Sequence, residues 1–158
     1  MDTCQPDHNN NTDTAPPLGL YEKALPTDST WDEKLTTTGQ AGFDFLEISI
    51  DESDQRIARL DWPRSQRQDL AAQAIDHNVP IRSLALSAHR RFPLGSPDHD
   101  TRSNALSIME KSIDFSLDMG IRIILLSGCD VYYEESTPRT KELLLRSLET
   151  AVNWAEQS

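Results

Sequence analysis

The chain has 158 residues, with 15 Lys and Arg against 26 Asp and Glu and a formal charge of -11. That length suits one ordinary domain. The charge argues against a nucleic-acid surface, which needs clustered positive side chains, and no apolar run approaches the roughly 20 residues of a membrane span.

The first 17 residues, MDTCQPDHNNNTDTAPP, are polar and end in two prolines. They bury too little apolar surface to offset their ordering entropy, so a disordered leader is expected. They lack the basic start and apolar core of a secretory signal. Cys4 lies in this leader and Cys129 follows an apolar run. Two such cysteines make neither an expected disulfide nor a metal site, and the cytoplasm is the default compartment.

From Leu18 onward, strand and helix patterns alternate. LGLYEKAL (18–25) reads as a short strand with a charged end, and PTDST as a turn. Trp31, Leu35 and Thr38 then recur at helical spacing, with Gly39 and Gly42 ending the helix. FDFLEISID (43–51) is the second strand, bounded by the acidic DESD. A helix runs from near Pro63 to His77, with Leu70, Ala71, Ala74 and Ile75 as its apolar stripe and Asn78 and Pro80 as its stop. IRSLALS (81–87) is the third strand. Ser96–Pro97 reads as a cap and first-turn pair. It opens a helix whose face carries Leu106, Met109, Ile113 and Leu117 and which Gly120 stops. IRIILLSG (121–128) is the fourth strand, apolar almost throughout, as for a parallel strand covered on both faces. Thr137–Pro138 opens the last helix, in which Leu144, Leu148, Ala151 and Ala155 align.

The fold class is therefore α/β, with four βα units. Such units build parallel sheets, either doubly wound or closed as a (β/α)8 barrel. No glycine-rich phosphate fingerprint follows the first strand, so a dinucleotide fold gains no support. Alternation along the second strand puts Leu46, Ile48 and Ile50 on one face and Phe43, Phe45, Glu47, Ser49 and Asp51 on the other. That second face is aromatic at its start and polar toward its carboxyl end. The first strand repeats the trend with Leu18, Leu20 and then Glu22. Ligands of α/β sheets and barrels sit at the carboxyl ends of the strands. Glu22, Glu47 and the loop SAHRRF (87–92) are expected to converge there.

Each of these residues also has a plainer explanation. Glu22 and Glu47 can be loop starts in water, because carboxylates are seldom buried unpaired. Arg90 and Arg91 can be solvated surface, and His89 a structural histidine. Against this, the arginine fork suits phosphate, and an acidic protein that binds an anion needs local positive charge to overcome its wider field.

The segments LGLYEKALP, FDFLEISIDESDQRIARLDW, LALSAHRRFPLGS and GCDVYYEES together closely resemble the L-ribulose-5-phosphate / L-xylulose-5-phosphate 3-epimerases, a bacterial group among the xylose-isomerase-like TIM barrels. The similarity runs colinearly from residue 18 to about 158. It implies an isomerase of L-ascorbate and pentose catabolism that removes the C3 proton of a pentulose 5-phosphate, passes through an enediolate and returns a proton on the opposite face. Two opposed carboxylates suit that exchange, and a divalent metal bridging O2 and O3 would stabilise the developing charge. By the same resemblance, the metal ligands come from strands in the second half of such a barrel.

A full barrel has eight βα units in about 250 residues, and four are legible here. The resemblance therefore implies the first half of a barrel over residues 18–158, with no catalytic residue and no metal ligand in this chain. Glu149 and Glu156 fall on the last helix and are not given those roles. Glu22, Glu47, His89, Arg90 and Arg91 remain as candidate substrate contacts. A half barrel leaves two sheet edges unpaired and uncovers an inner apolar face that includes Phe43, Phe45, Ile123 and Leu125. Homodimer formation through those edges, aggregation, or a product that never accumulates are the outcomes open to it. The alternative to an epimerase is a non-catalytic sugar-phosphate-binding half barrel. DNA hydrolysis on the same fold is disfavoured by the charge.

Overall fold

The computed structural model describes residues 15–158. Most of the expected leader, with Cys4, lies outside the described residues. Four parallel strands, β1 (Gly19–Tyr21), β2 (Phe45–Ile50), β3 (Ile81–Leu86) and β4 (Ile123–Leu126), form one sheet in sequential order. Helices α1 (Trp31–Gln40), α3 (Arg64–Asp76), α4 (His99–Met119) and α5 (Pro138–Glu156) follow the strands in turn, and the four-residue α2 (Asp54–Ile57) precedes α3. All four expected βα units are present.

Local chemistry explains the helix ends. Thr30 caps α1 in a reciprocal box with Glu33, and Thr137 caps α5 with Pro138 in its first turn. Gly120 adopts φ 70 and ends α4, a left-handed conformation that glycine enters without penalty. The α4 start differs from expectation. Asp98, not Ser96, is the cap and accepts from the Thr101 amide, while the Ser96 hydroxyl accepts from the Asp98 amide.

The core lies between the sheet and its helices. Leu46, Ile48 and Ile50 of β2 are fully buried there, beside Leu84 and Leu86 of β3, Leu35 of α1 and Phe115 of α4. Each such side chain contributes about 1.5–3 kcal/mol by leaving water. Ile75, Leu117 and Ala155, expected on buried helix faces, are exposed instead.

β1 is shorter than the 18–25 run suggested, because a 3-10 turn begins at Glu22. The DESDQRIARLDW stretch also contains helix that periodicity did not reveal: α2 and a second 3-10 turn, Ala58–Asp61. Register assigns the faces. Leu20 pairs with Leu46, and Ile48 with Leu84, on the helix side. Tyr21 pairs with Glu47, Ser49 with Ala85, and Ala85 with Leu125, on the opposite face. On that face Ile123 and Leu125 are 60% and 57% exposed, so β4 is covered on one side only, not on both. Phe43 and Phe45 are half-buried rather than open. The Phe45 ring occupies the space that a side chain on Gly19 would need, and the Arg82 guanidinium lies over it at 5.6 Å.

The loops after β3 and β4 touch through backbone. The Gly95 amide donates to the Asp130 carbonyl at 3.0 Å, and Ser147 of α5 donates to the Leu94 carbonyl at 2.8 Å. A methyl group on Gly95 would lie 2.5 Å from the Thr140 carbonyl oxygen and 2.6 Å from that of Asp130. Neither oxygen can rotate away. Gly95→Ala is expected to cost about 1–3 kcal/mol by overpacking, read as a lower urea midpoint at unchanged slope.

Candidate functional site

The carboxyl ends of all four strands open onto a cleft of about 460 Å³ on the face away from the helices. Tyr21 enters it from β1, Glu47 from β2, Ser87 and Arg90 from the segment after β3, and Leu125, Leu126 and Ser127 from β4 and its end. A register shift between Leu46 and Glu47 sets Glu47 opposite Ser83, whose hydroxyl donates to Glu47 Oε2 at 2.7 Å. Bulges of this kind re-aim a side chain without ending the strand.

The five expected site residues separate into two groups. Glu47 and Arg90 line the cleft. Glu22, His89 and Arg91 are engaged elsewhere. Glu22 is on the helix side, as its alternation with Leu20 requires, and is fully buried. Arg59 grips it with two hydrogen bonds of 2.8 and 2.9 Å. The Ser49 amide donates at 2.9 Å, Lys34 Nζ lies at 3.3 Å and Arg56 Nη1 at 3.6 Å. Burial is the largest influence on this carboxyl and opposes its charge. Arg59, the Ser49 amide and Arg56 together outweigh it and hold the group below its usual range.

His89 begins the loop but turns inward. It is 6% exposed, and its Nε2 lies 3.1 Å from the Ala105 carbonyl of α4. Burial pushes its pKa down to about 4, against the opposing pull of that carbonyl. Arg91 turns outward to the Glu52 carbonyl at 3.0 Å and Asp54 at 2.6 Å. Arg90, between them, lies over the Tyr132 ring at 4.8 Å. Tyr133 donates to Glu52 Oε1 at 2.9 Å, tying the loop after β4 to the one after β2.

Sequence reasoning did not single out Tyr21, Ser87, Ser127 or Tyr132. Tyr21 was not discoverable from the pattern, which sets Leu18, Leu20 and Glu22 on the cleft face; its pairing with Glu47 turns it there. Neither was Tyr132, because only the loop's path brings it to Arg90. Among the described residues, no three His, Cys, Asp or Glu side chains gather in a geometry that could hold a metal ion. These residues do not fit the divalent ion that the resemblance implied, and no chemical step is derived through one. Cys129 is exposed and has no disulfide partner among the described residues.

A family model for the xylose isomerase-like TIM barrel matches residues 37–158. The chain belongs to that family. It is 47% identical over 142 residues to L-ribulose-5-phosphate 3-epimerase UlaE of Escherichia coli O139:H28 and 46% identical over the same length to the Salmonella heidelberg enzyme. Both alignments cover 90% of this chain and 50% of the relative, so the chain spans about half the length of the curated relatives it matches. Among solved structures, a D-psicose 3-epimerase from Clostridium cellulolyticum H10 with D-tagatose superposes with a TM-score of 0.72 at 19% identity, over 90% of this chain and 49% of that one. An L-ribulose 3-epimerase superposes at 0.65 and 21% identity, over 89% of this chain and 46% of that one. At those identities the structural likeness establishes the fold. The four-stranded parallel sheet is consistent with half of such a barrel.

The buried charges make stability depend on pH in two steps. Below about pH 6.5 the unfolded chain protonates at His89 while the folded chain resists until about 4, so stability falls across that interval, by up to about 1.4 kcal/mol per pH unit. Asp51 is next. Burial opposes its charge, but Lys23 and Ser53 hold its pKa at about 2 against an ordinary 3.8, and its contribution, present above 3.8, is lost as pH falls toward 2. Urea titrations at pH 7.5 and 5 are expected to show the first loss, and His89→Gln to flatten it. Glu22→Gln leaves Arg59, Lys34 and Arg56 without their shared counter-charge and is expected to cost about 3–5 kcal/mol at pH 7, measured the same way.

Proposed function

We propose that the chain forms one wall of a ketose-phosphate 3-epimerase site that interconverts L-ribulose 5-phosphate and L-xylulose 5-phosphate, in cytoplasmic L-ascorbate and pentose breakdown. The observation that carries this reading is the 47% identity over 142 residues to L-ribulose-5-phosphate 3-epimerase. The cleft supports it. Glu47 is held by Ser83 on the floor, where a carboxylate can accept from sugar hydroxyls, and Arg90 borders the same space. Glu22, His89 and Arg91 shape this wall from behind, through β2, α4 and the loop after β2.

Inverting C3 requires removing a proton from one face of the carbon and returning one to the other. Glu47 is the one carboxylate lining the described cleft, and the described residues assemble no metal site. We therefore assign the 158-residue chain on its own to binding rather than turnover. Proton transfer and any divalent ion then belong to a second wall facing this one.

A second reading is favoured by Ile123 and Leu125, exposed on the inner face beside the open β4 edge. On it the chain is a sugar-phosphate-binding half barrel that pairs with another copy. Sedimentation equilibrium distinguishes a dimer from a monomer.

Exchange at C3 of L-ribulose 5-phosphate in D2O, followed by proton NMR with added Mg²⁺ or Mn²⁺, tests the assignment. The chain alone is expected to give no exchange above the uncatalysed rate. Adding the second half of an L-ribulose-5-phosphate 3-epimerase as a separate polypeptide is expected to start it. Exchange by the chain alone would overturn the division of labour, and silence of the reconstituted pair would overturn the epimerase reading.

A further inference from the structure

We propose that the tip of the loop after β4, residues 131–135, is a clasp that Tyr133 fastens to Glu52 and that a ligand in the cleft holds shut. This deepens the reading above and rests on it for the identity of the ligand. The loop is built in two parts. Its neck is fixed. Asp130 is 8% exposed and its carboxylate accepts from the hydroxyls of Ser136 and Thr140, while its carbonyl accepts from the Gly95 amide. One buried carboxylate thereby joins both ends of the loop to the first turn of α5. The tip is held differently. Tyr132 is 45% and Tyr133 71% exposed, and Glu134 and Glu135 are exposed. The two rings reach other segments through Tyr133 Oη, which donates to Glu52 at 2.9 Å, and through Tyr132, which lies against the Arg90 guanidinium at 4.8 Å. They meet each other edge to face with centroids 4.9 Å apart, so displacing one disturbs the other.

Position ties the clasp to the cleft. β3 lies between β2 and β4, so Tyr133 reaches Glu52 by passing over the carboxyl end of β3, across two strand steps of about 4.8 Å each. Ser87 and Arg90 line the cleft at that end. Charge opposes the clasp. Glu134 and Glu135 follow Tyr133, and Asp54 follows Glu52, so one solvent-exposed hydrogen bond joins two acidic segments. Like charges repel, and the net contribution of such a bond is modest. A closed state held in this way exchanges with an open one, and a ligand shifts the balance by its preference for one of them. The preference comes through Arg90, whose guanidinium borders the cleft while its face carries Tyr132. A ligand that stills the guanidinium stills the platform on which Tyr132 rests.

Fluorine NMR of the full chain labelled with fluorotyrosine tests this, because the chain has three tyrosines and each gives one resonance. Tyr21 lines the cleft and reports the ligand. Tyr132 lies on Arg90 rather than on Glu52 and reports the position of the tip. Spectra are compared for wild type, Glu52→Ala, which removes the acceptor, and Glu52→Gln, which keeps one, each with and without L-ribulose 5-phosphate. Glu52→Ala is expected to move the Tyr132 resonance toward its open position, lowering the closed-to-open ratio by roughly tenfold, and Glu52→Gln to stay near wild type. L-ribulose 5-phosphate is expected to move Tyr132 the other way. It should bind Glu52→Ala about threefold or more weakly, as the closed fraction falls. A Tyr132 resonance unchanged by Glu52→Ala overturns the clasp. A Tyr132 resonance that moves in Glu52→Ala but ignores the ligand, with equal affinity for both proteins, overturns the coupling and leaves the epimerase reading standing. If L-ribulose 5-phosphate leaves Tyr21 unmoved in every protein, the epimerase reading and the coupling fall together, and the comparison of wild type with Glu52→Ala still decides the clasp.

Discussion

A carboxylate sealed from water holds the front of the sheet together. Glu22 lies at the end of β1, accepts from the backbone of β2 at Ser49, and is gripped by Lys34 of α1, Arg56 of α2 and Arg59 just beyond it. Four segments are thus referred to one pair of oxygens. The Arg59 guanidinium lies 5.1 Å from Trp31 and 5.8 Å from Trp62, and Lys34 Nζ lies 5.0 Å from Trp31. These rings exclude water and leave the cations with Glu22 as their main compensation. Such a cluster is not an efficient source of stability, since desolvation consumes most of the Coulomb gain. Its value is positional, because a buried charge tolerates few arrangements of its neighbours.

The cleft inherits that constraint. Ser49, whose amide is fixed by Glu22, places its hydroxyl 3.1 Å from Tyr21 Oη. Two residues earlier on the same strand, Glu47 faces the cleft and is steadied by Ser83. The polar floor is therefore set from both sides of the sheet: buried charge behind it and cross-strand hydroxyls within it. The loops above are joined more loosely, by Tyr133 to Glu52, Arg91 to Asp54 and Arg90 to Tyr132. The first two of these contacts are solvent-exposed, where ion pairs and hydrogen bonds contribute little.

Much of this was legible beforehand, and the misses share a cause. The four βα units, the cleft at the strand ends and the place of Glu47 follow from alternation and from punctuation by glycine and proline. Glu22 is expected at the cleft because the first strand, Leu18 and Leu20 and then Glu22, repeats the trend of the second strand's polar face. Register decides otherwise: Leu20 pairs with Leu46 on the helix side and Glu22 shares its parity, while its burial needs Arg59, 37 positions away, and no local pattern announces that pairing. His89 and Arg91 are a similar case. Three adjacent nitrogen-rich side chains cannot all point one way from a single 3-10 turn, so one turned into the core, one to the surface and one to the cleft.

The sequence by itself determined the order of elements, the parallel sheet and the segment after β3 that brings an arginine to the cleft, because these depend on short-range periodicity and on residues with strong backbone preferences. The tertiary structure alone decided which of five polar residues reach the cleft. It also decided that β4 keeps one apolar face uncovered and that Arg90 meets Tyr132 from the next loop. Those outcomes depend on strand register and on contacts between distant segments. A one-residue change of register sends a side chain to the other face of a sheet, and nothing in the neighbouring residues records which register the folded chain will take.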